Sequence, residues 1–201
     1  YILGDEGVQT FFQWMVTALG FDAAKRAPYT YNTAPFLANK KSIQQGYVTS
    51  EPFAVKKEGG FVPNQFLLAD YGWDTYSTTI EVMQATIDKK PEVVQCFVDG
   101  SAKGWYKYLY GDNKAANDMI KKDNPDMSDE QIAFSIEQMK KCGLADSGDT
   151  EKLGIGAMTD ARIKSFYHKM VKAKVTPEGI DITKGYTLAF VNKGVGLDLK
   201  K

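Results

Sequence analysis

The strongest constraint on the fold of this chain is the alternation of short apolar runs with helical periodicity in its N-terminal part. An apolar run at Tyr1–Leu3 is followed by a glycine-bounded turn, after which apolar side chains recur at helical spacing from Val8 to Leu19. A β-rich run over Gly46–Ser50 then leads into a second helical segment. Because strands that alternate with helices are joined by crossovers, this order predicts an α/β lobe with a mostly parallel sheet over residues 1–70.

After residue 80 the pattern changes to amphipathic helices with recognisable ends. Residues 128–131 form a capping box, and Gly143 ends the same helix. Only two apolar runs in this part are typical of strands, too few to form a sheet of their own. The further elements predicted for the whole chain are helices over residues 34–44, 91–109, 114–122, 128–141 and 159–173 and strands over residues 66–70, 78–82 and 186–191.

The composition indicates a globular chain and argues against some partners. Hydrophobic residues make up 43% of the sequence, and 25 basic side chains are balanced by 25 acidic ones without a long block of either sign. The basic patch of a nucleic-acid binder is therefore missing, and we expect no nucleic-acid partner. No apolar stretch is long enough to predict a membrane span. Asp5 and Glu6 stand where a signal peptide would be basic and then apolar.

The two cysteines predict neither a disulfide framework nor a zinc site. Cys96 lies in a run that we interpret as a buried helix face, and Cys142 stands beside the helix-ending Gly143. The sequence contains no CxxC pair and no Cys/His spacing of a metal site. We therefore expect two separate structural thiols, no metal and no cofactor.

A first candidate binding element is the turn from Gly4 through Gly7 to Thr10, because ligands of open α/β sheets bind at the carboxyl ends of the strands. The turn offers backbone amides and the Thr10 hydroxyl, but the Asp5 and Glu6 carboxylates would repel an anion. It therefore favours a neutral or cationic ligand. The alternative is that both carboxylates only complement the helix dipole from solvent.

A second candidate is the turn that contains Ser50 and Glu51 before Pro52. Ser50 can cap the helix and Pro52 can open it, while the Glu51 carboxylate can accept two N–H donors from a ligand amine or ring. The alternative is a solvent-exposed charge at a helix N-terminus. Tyr71 and Trp73, in an aromatic cluster between the two parts of the chain, can form a stacking wall beside the ligand or pack in the core.

Sequence markers of catalysis are missing. His168 is the only histidine, and the sequence fixes no nucleophile or carboxylate partner for it. No GxSxG, HExxH or phosphate-loop pattern occurs either. Binding without turnover is therefore the leading class of function.

These residues together resemble a family of ABC-importer substrate-binding proteins for thiamine-pyrimidine precursors, sulfonates and nitrate, which have a type II periplasmic-binding-protein fold. The resemblance implies that Glu51, before proline, faces the ligand and that the turn from Gly4 to Thr10 touches it from the same lobe. It is carried by residues 2–8, 45–53, 68–72, 90–106 and 186–196.

The resemblance implies a two-lobed α/β fold. Residues 1–73 would form lobe 2, and residues 74–201 would form the crossover and a helix-rich return segment that belongs to lobe 1. Family members have further residues ahead of the position that matches Tyr1, so we expect this chain to be a fragment. Its predicted strands at 78–82 and 186–191 would then pair with a missing N-terminal segment or with a second copy of the chain.

The function that the resemblance implies is a periplasmic receptor. It would bind a small solute between two lobes and deliver it to an ABC permease in the inner membrane, without chemistry. Asp5 and Glu6 depart from the hydroxyl- and glycine-rich turns of the anion-binding branches, which favours a nitrogen-containing heterocyclic or amine-bearing ligand. The alternatives are a sensor or effector domain and a pyrimidine-biosynthesis enzyme on the same fold.

Overall fold

Two segments pair with the N-terminal strand in the computed structural model, which describes residues 1–200. Strand β1 (Ile2–Leu3) pairs in parallel with strand β2 (Ala27–Pro28), with Ile2 opposite Ala27 and Leu3 opposite Pro28. On its other edge, β1 forms an isolated parallel bridge between Ile2 and Gln44. The chain therefore has a helix-rich α/β fold with a small open sheet, whose strands are parallel as predicted.

Helices form most of the regular structure. The four long helices predicted after residue 90 are present, and each end agrees with the prediction to within one residue. The helices are α1 (Asp5–Gln9), α2 (Phe11–Leu19), α3 (Ala34–Ala38), α4 (Glu51–Gly59), α5 (Gln84–Lys89), α6 (Pro91–Tyr110), α7 (Lys114–Asp123), α8 (Asp129–Lys141), α9 (Thr150–Leu153) and α10 (Asp160–Lys172).

Local capping explains why the helix ends were predictable. The Ser128 hydroxyl accepts a hydrogen bond of 3.2 Å from the amide of Gln131 and so caps α8. At the other end, Gly143 adopts a left-handed φ of 59° that a side chain would disfavour. Both contacts lie within a few residues of the helix that they end, so the sequence pattern contains them.

Two predicted helices are shorter than expected. The segment from Val8 to Leu19 is broken at Thr10, whose backbone leaves the helical region and whose hydroxyl donates to the Glu6 carbonyl at 2.8 Å. The helix predicted over residues 34–44 ends at Ala38, because the Asn39 side chain accepts a hydrogen bond from the Lys41 amide at 3.0 Å. In both places a short polar side chain competes with the helix for backbone partners.

The strands predicted over residues 46–50 and 66–70 are wrong. The amide of Ser50 bonds the Tyr47 carbonyl at 2.9 Å and closes a turn. Residues 68–71 form a 3-10 turn that ends at Gly72, with a φ of 106°. Neither segment finds a neighbouring strand, so local turn hydrogen bonds satisfy the backbone instead.

The strands predicted over residues 78–82 and 186–191 are wrong as well. Thr78 has a left-handed φ of 53°, which interrupts the first run. In the second run the Val191 amide bonds the Leu188 carbonyl at 3.4 Å, and Asn192 follows with a φ of 65°. Apolar composition alone predicted these strands, and the turns override it.

The described residues separate into two units. Unit 1 comprises Tyr1–Thr75 and Ala161–Ile182, and unit 2 comprises Tyr76–Asp160 and the segment that starts at Thr183. The boundaries predicted from the sequence did not place residues 161–182 in the same unit as the N-terminal part of the chain. The assignment of residues 1–73 and 74–201 to two lobes of a binding fold stays a prediction.

Each unit has its own buried side chains. In unit 1, α2 supplies most of the core, and Leu3 from β1 and Ala173 after α10 complete it. In unit 2, Tyr106 of α6 is completely buried, and its hydroxyl accepts a hydrogen bond from the Ile155 amide at 3.2 Å. The buried side chains of α2 are Phe12, Trp14 and Met15.

The expectation that Cys96 lies on a buried helix face is wrong, since the residue is exposed. The buried side of α6 is defined by Val94, Ala102 and Tyr106. Cys96 follows Val94 by two residues, which turns it to about the opposite side of an α-helix. Both Cys96 and Cys142 are free thiols in the structure, as expected of separate cysteines.

Candidate functional site

A cavity of about 400 Å³ in unit 1 is the candidate binding site. It lies at the carboxyl end of β2, where the chain leaves the sheet, and beside the N-terminal turns of α4. In open parallel sheets this is the edge where ligands bind. The cavity is lined by Tyr29, Tyr31, Asn32, Thr33, Ser50, Glu51, Ala54 and Glu58.

The sheet positions the two sides of the cavity. Tyr29 directly follows β2, and its amide donates to the Leu3 carbonyl at 3.0 Å. On the other edge of β1, the Gln45 amide donates to the Ile2 carbonyl at 2.9 Å, a few residues before α4 begins. Tyr29 and Gln45 are distant in sequence, but both bond β1, so the segments that follow them reach the same edge of the sheet.

One face of α4 contributes three of the lining residues. Glu51, Ala54 and Glu58 follow at i, i+3 and i+7, which is the spacing of a single helix face. Two helical turns separate the backbone positions of Glu51 and Glu58, a rise of about 10 Å along the helix axis. The Ala54 methyl group lies between them and leaves the middle of this face small and apolar.

The Glu51 carboxylate is held by two neutral donors. Its Oε1 accepts a hydrogen bond of 2.9 Å from the Tyr29 hydroxyl, and its Oε2 accepts one of 2.7 Å from the Tyr47 amide. Partial burial, the hydrogen bond to Glu51 and the charge of Glu51 together raise the pKa of Tyr29 well above its usual range. The phenol therefore stays protonated and keeps Glu51 in one orientation.

The second carboxylate of the site, Glu58, is exposed and bonds a buried threonine. The Thr33 hydroxyl donates to Oε2 of Glu58, and Thr33 is only 6% exposed. No lysine or arginine is among the described residues that line the cavity. The lining thus contains two carboxylates, whose partners are hydroxyl and amide groups, and no basic side chain.

Tyr31 has an unusual backbone for a bulky residue. Its φ is 56°, in the left-handed region, and its side chain is 86% exposed. The Tyr31 ring lies 5.0 Å from the Tyr29 ring, at an interplanar angle of 43°. The next residue, Asn32, accepts a hydrogen bond of 2.7 Å from the Ala34 amide, which fixes the turn. An exposed aromatic ring is thereby held at the cavity.

The structure brings only part of the predicted site together. Ser50 and Glu51 line the cavity, but Asp5, Glu6, Gly7 and Thr10 do not. Asp5 forms an exposed ion pair of 3.0 Å with Arg26. Gly7 is buried, and Thr10 bonds the backbone of its own turn.

The two predicted aromatic residues lie elsewhere in unit 1. Trp73 packs on the core, with its ring 5.4 Å from Trp14 and 5.0 Å from Phe166. Tyr71 is half exposed, and its ring lies 6.4 Å from that of Phe66. Neither residue lines the cavity with Glu51.

Sequence reasoning missed the segment after β2 and the second acidic residue of α4. A signal was present in Tyr29-Thr30-Tyr31-Asn32-Thr33, an aromatic and polar run directly after a possible strand. Pro28 hid that strand, because proline argues against a strand with neighbours on both sides. The i, i+7 relation of Glu51 and Glu58 was readable once α4 was assigned.

Residues 1–200 contain neither a metal-binding cluster nor a helix suited to span a membrane. No group of three or more His, Cys, Asp or Glu side chains in this range is placed to hold a metal ion. None of its helices combines the length and the apolar character needed to cross a membrane.

The small parallel sheet, with a polar cavity at its carboxyl edge, is typical of a ligand-binding α/β protein. The family model described as NMT1/THI5 like matches residues 5–116, more than half of the chain and all of the cavity. The chain therefore belongs to the NMT1/THI5-like family, whose members are mostly substrate-binding proteins of ABC importers for sulfonates, nitrate and thiamine precursors. No curated protein and no solved structure matches the chain.

Proposed function

We propose that this protein is the solute-binding receptor of an ABC importer and that it binds a small amine-bearing or nitrogen-heterocyclic ligand in the cavity of unit 1. The observation that carries the proposal is the pair of carboxylates, Glu51 and Glu58, on one face of α4 without a basic residue in the lining. An anion would be repelled there, whereas a ligand with N–H donors would be attracted.

The contacts of Glu51 support its role as an acceptor. Each carboxylate oxygen can accept more than one hydrogen bond, and each takes one from the protein, from Tyr29 and Tyr47. The remaining lone pairs are oriented before a ligand arrives, which reduces the entropy lost on binding. The Tyr29 and Tyr31 rings add flat apolar surface that attracts cations and stacks on heterocycles.

The transport role rests on the family. Its members are mostly substrate-binding proteins and typically work in the periplasm or outside the cell, although THI5 itself is a biosynthetic protein. We propose the same place and the same partner here, a periplasmic receptor that delivers its ligand to an ABC permease. Closure of two lobes around the ligand remains part of this proposal, but the turn from Gly4 to Thr10, Tyr71 and Trp73 do not, because none of them lines the cavity.

A thermal-shift screen followed by calorimetry tests the proposed function. The full chain is incubated with amines, pyrimidines, purines, amino acids, sulfonates and nitrate, and binding to the native state raises the melting temperature. We expect hits among the amines and nitrogen heterocycles and none among the anions.

The variant Glu51→Gln should lower the affinity for the best-binding ligand by about tenfold to a hundredfold, which corresponds to the loss of a charge-assisted hydrogen bond. Glu137→Gln, an exposed carboxylate of α8 in unit 2, is the matched control and should bind as the wild type does. A preference for sulfonates or nitrate, or an unchanged affinity of Glu51→Gln, would contradict the proposal.

A further inference from the structure

We propose that the ligand is a dication, a linear diamine that places one ammonium group at Glu51 and the other at Glu58. This inference rests on the proposed function and specifies the ligand class of the same cavity. It uses Glu58, Ala54 and Thr33, which the sequence analysis did not assign to a site.

The charge of the cavity lining favours a ligand with two positive groups. The donors that hold the two carboxylates are the hydroxyls of Tyr29 and Thr33 and the Tyr47 amide, all of which are neutral. The lining therefore presents two carboxylates and no positive side chain. A ligand with one positive charge leaves one carboxylate without a counter-charge, whereas a diamine supplies one to each.

Glu51 and Glu58 lie on one face of α4, and their backbone positions are about two helical turns apart, a rise of about 10 Å. Tyr29 and the Tyr47 amide hold the Glu51 carboxylate, and Thr33 holds that of Glu58, so a ligand that binds both has to span the distance between them. The two ends of a short diamine therefore fit this pair better than a single compact heterocycle does.

The surface between Glu51 and Glu58 suits a methylene chain. Ala54 presents only a methyl group there, and a methylene chain can lie across it without burying a polar group. The Tyr29 and Tyr31 rings flank the cavity and attract ammonium groups and the methylene groups next to them. A cavity of about 400 Å³ accommodates a chain of this size.

Calorimetry on the full chain tests this inference with linear diamines of three to eight carbons, with hexylamine as a single-charge probe and with an aminopyrimidine as the heterocycle. We expect the affinity to pass through a maximum along the series. The best diamine should bind at least about tenfold more tightly than hexylamine, because a second charge-assisted hydrogen bond forms.

The variant Glu58→Gln isolates the second charge. Its amide oxygen can still accept from Thr33, so the fold is retained, and unchanged circular dichroism and melting temperature check this. We expect the variant to remove the advantage of the diamine while hexylamine binds as before. The control Glu137→Gln should preserve the whole affinity series.

The outcomes separate the two proposals. If diamines bind no better than hexylamine, or if Glu58→Gln lowers the affinity for both equally, the proposal of a dication is wrong. If hexylamine or the aminopyrimidine then still binds in a Glu51-dependent manner, the proposed function stands without it. If no amine or heterocycle binds at all, both proposals fail.

Discussion

The Tyr29 hydroxyl donates a hydrogen bond of 2.9 Å to Oε1 of Glu51 and so ties the end of β2 to the first turn of α4. The two residues are 22 positions apart in sequence and meet only because β2 and the Gln44 segment flank the same strand. The bond orients the carboxylate of the candidate site, and it also makes the ionisation of Tyr29 a probe of that site.

We predict that Glu51→Gln lowers the pKa of Tyr29 toward the usual tyrosine value. Burial still favours the neutral phenol in the variant, but the hydrogen bond to a carboxylate and its charge are lost. The measurement is a pH titration of carbon-13-labelled tyrosine by NMR, with Tyr29→Phe to assign the signal. Glu137→Gln should leave that signal unchanged, and an unchanged titration in Glu51→Gln would show that the bond does not form in solution.

The raised pKa of Tyr29 also gives the sign of a pH effect on stability. The neutral phenol stabilises the fold fully below the usual tyrosine pKa, and this contribution is lost as the pH rises through the higher folded-state pKa. The free energy of unfolding of Tyr29→Phe should therefore fall less steeply in alkali than that of the wild type.

We predict that Tyr31→Gly weakens ligand binding without destabilising the protein. A left-handed φ costs a residue with a side chain about 1–2 kcal/mol, which glycine avoids, although glycine also loses more chain entropy on folding. Removal of the ring should reduce the affinity for an amine ligand by about threefold to thirtyfold, the range of a cation–π contact. Urea unfolding and calorimetry measure the two effects.

The control for Tyr31→Gly is Lys174→Gly. Lys174 is exposed and has a similar φ of 58°, but it does not line the cavity. Lys174→Gly should relieve the same backbone strain and leave the affinity for the ligand unchanged. Equal losses of affinity in both variants would show that Tyr31 does not contact the ligand.

The stability of the protein in acid should depend on Asp74. Partial burial alone would raise the pKa of Asp74, but the hydrogen bond from Lys169, a backbone hydrogen bond and the charges of Lys169 and Arg162 together hold that pKa below its usual range. A lowered folded-state pKa stabilises the protein fully above the usual aspartate pKa, and the stabilisation is lost as the pH falls through the lower value. Urea unfolding of Asp74→Asn between about pH 3 and pH 6 should show a weaker pH dependence than the wild type.

The control for Asp74→Asn is Asp5→Asn. Asp5 pairs with Arg26 at the surface, where an ion pair contributes little to stability. This variant should keep the pH dependence of the wild type. If Asp74→Asn keeps it too, the pair of Asp74 and Lys169 does not stabilise unit 1.

The last prediction compares two glycines of unit 2. Gly104 lies inside α6, and a Cβ atom there would meet no neighbour, so Gly104→Ala should raise the free energy of unfolding by about 0.5–1 kcal/mol. Gly196 has a φ of 83°, and a Cβ atom there would lie 2.7 Å from Cδ2 of the buried Tyr106. Gly196→Ala should therefore lower the free energy by about 2–4 kcal/mol, from backbone strain and overpacking. If urea unfolding shows that both variants change the free energy of unfolding in the same direction, the close packing of Gly196 on Tyr106 is contradicted.

The sequence by itself determined the features that depend on neighbours along the chain. The helices after residue 90 follow from periodicity and from caps such as Ser128 and Gly143, whose hydrogen bonds close within a few residues. The position of Glu51 at the start of a helix agrees with Pro52 at the second helical position, whereas the Ser50 side chain forms no capping hydrogen bond. The parallel direction of the sheet followed from the order of its elements.

Only the tertiary structure decided which strands formed and which side chains met. A strand needs a partner that is distant in sequence, so Gly46–Ser50 became a turn while Ala27–Pro28, which the sequence pattern did not predict as a strand, paired with β1. For the same reason Tyr29 and Glu58 joined the site of Glu51, whereas Trp73 packed on the core. Helix and turn signals are local, but strand pairing and the lining of a cavity depend on contacts that no local pattern contains.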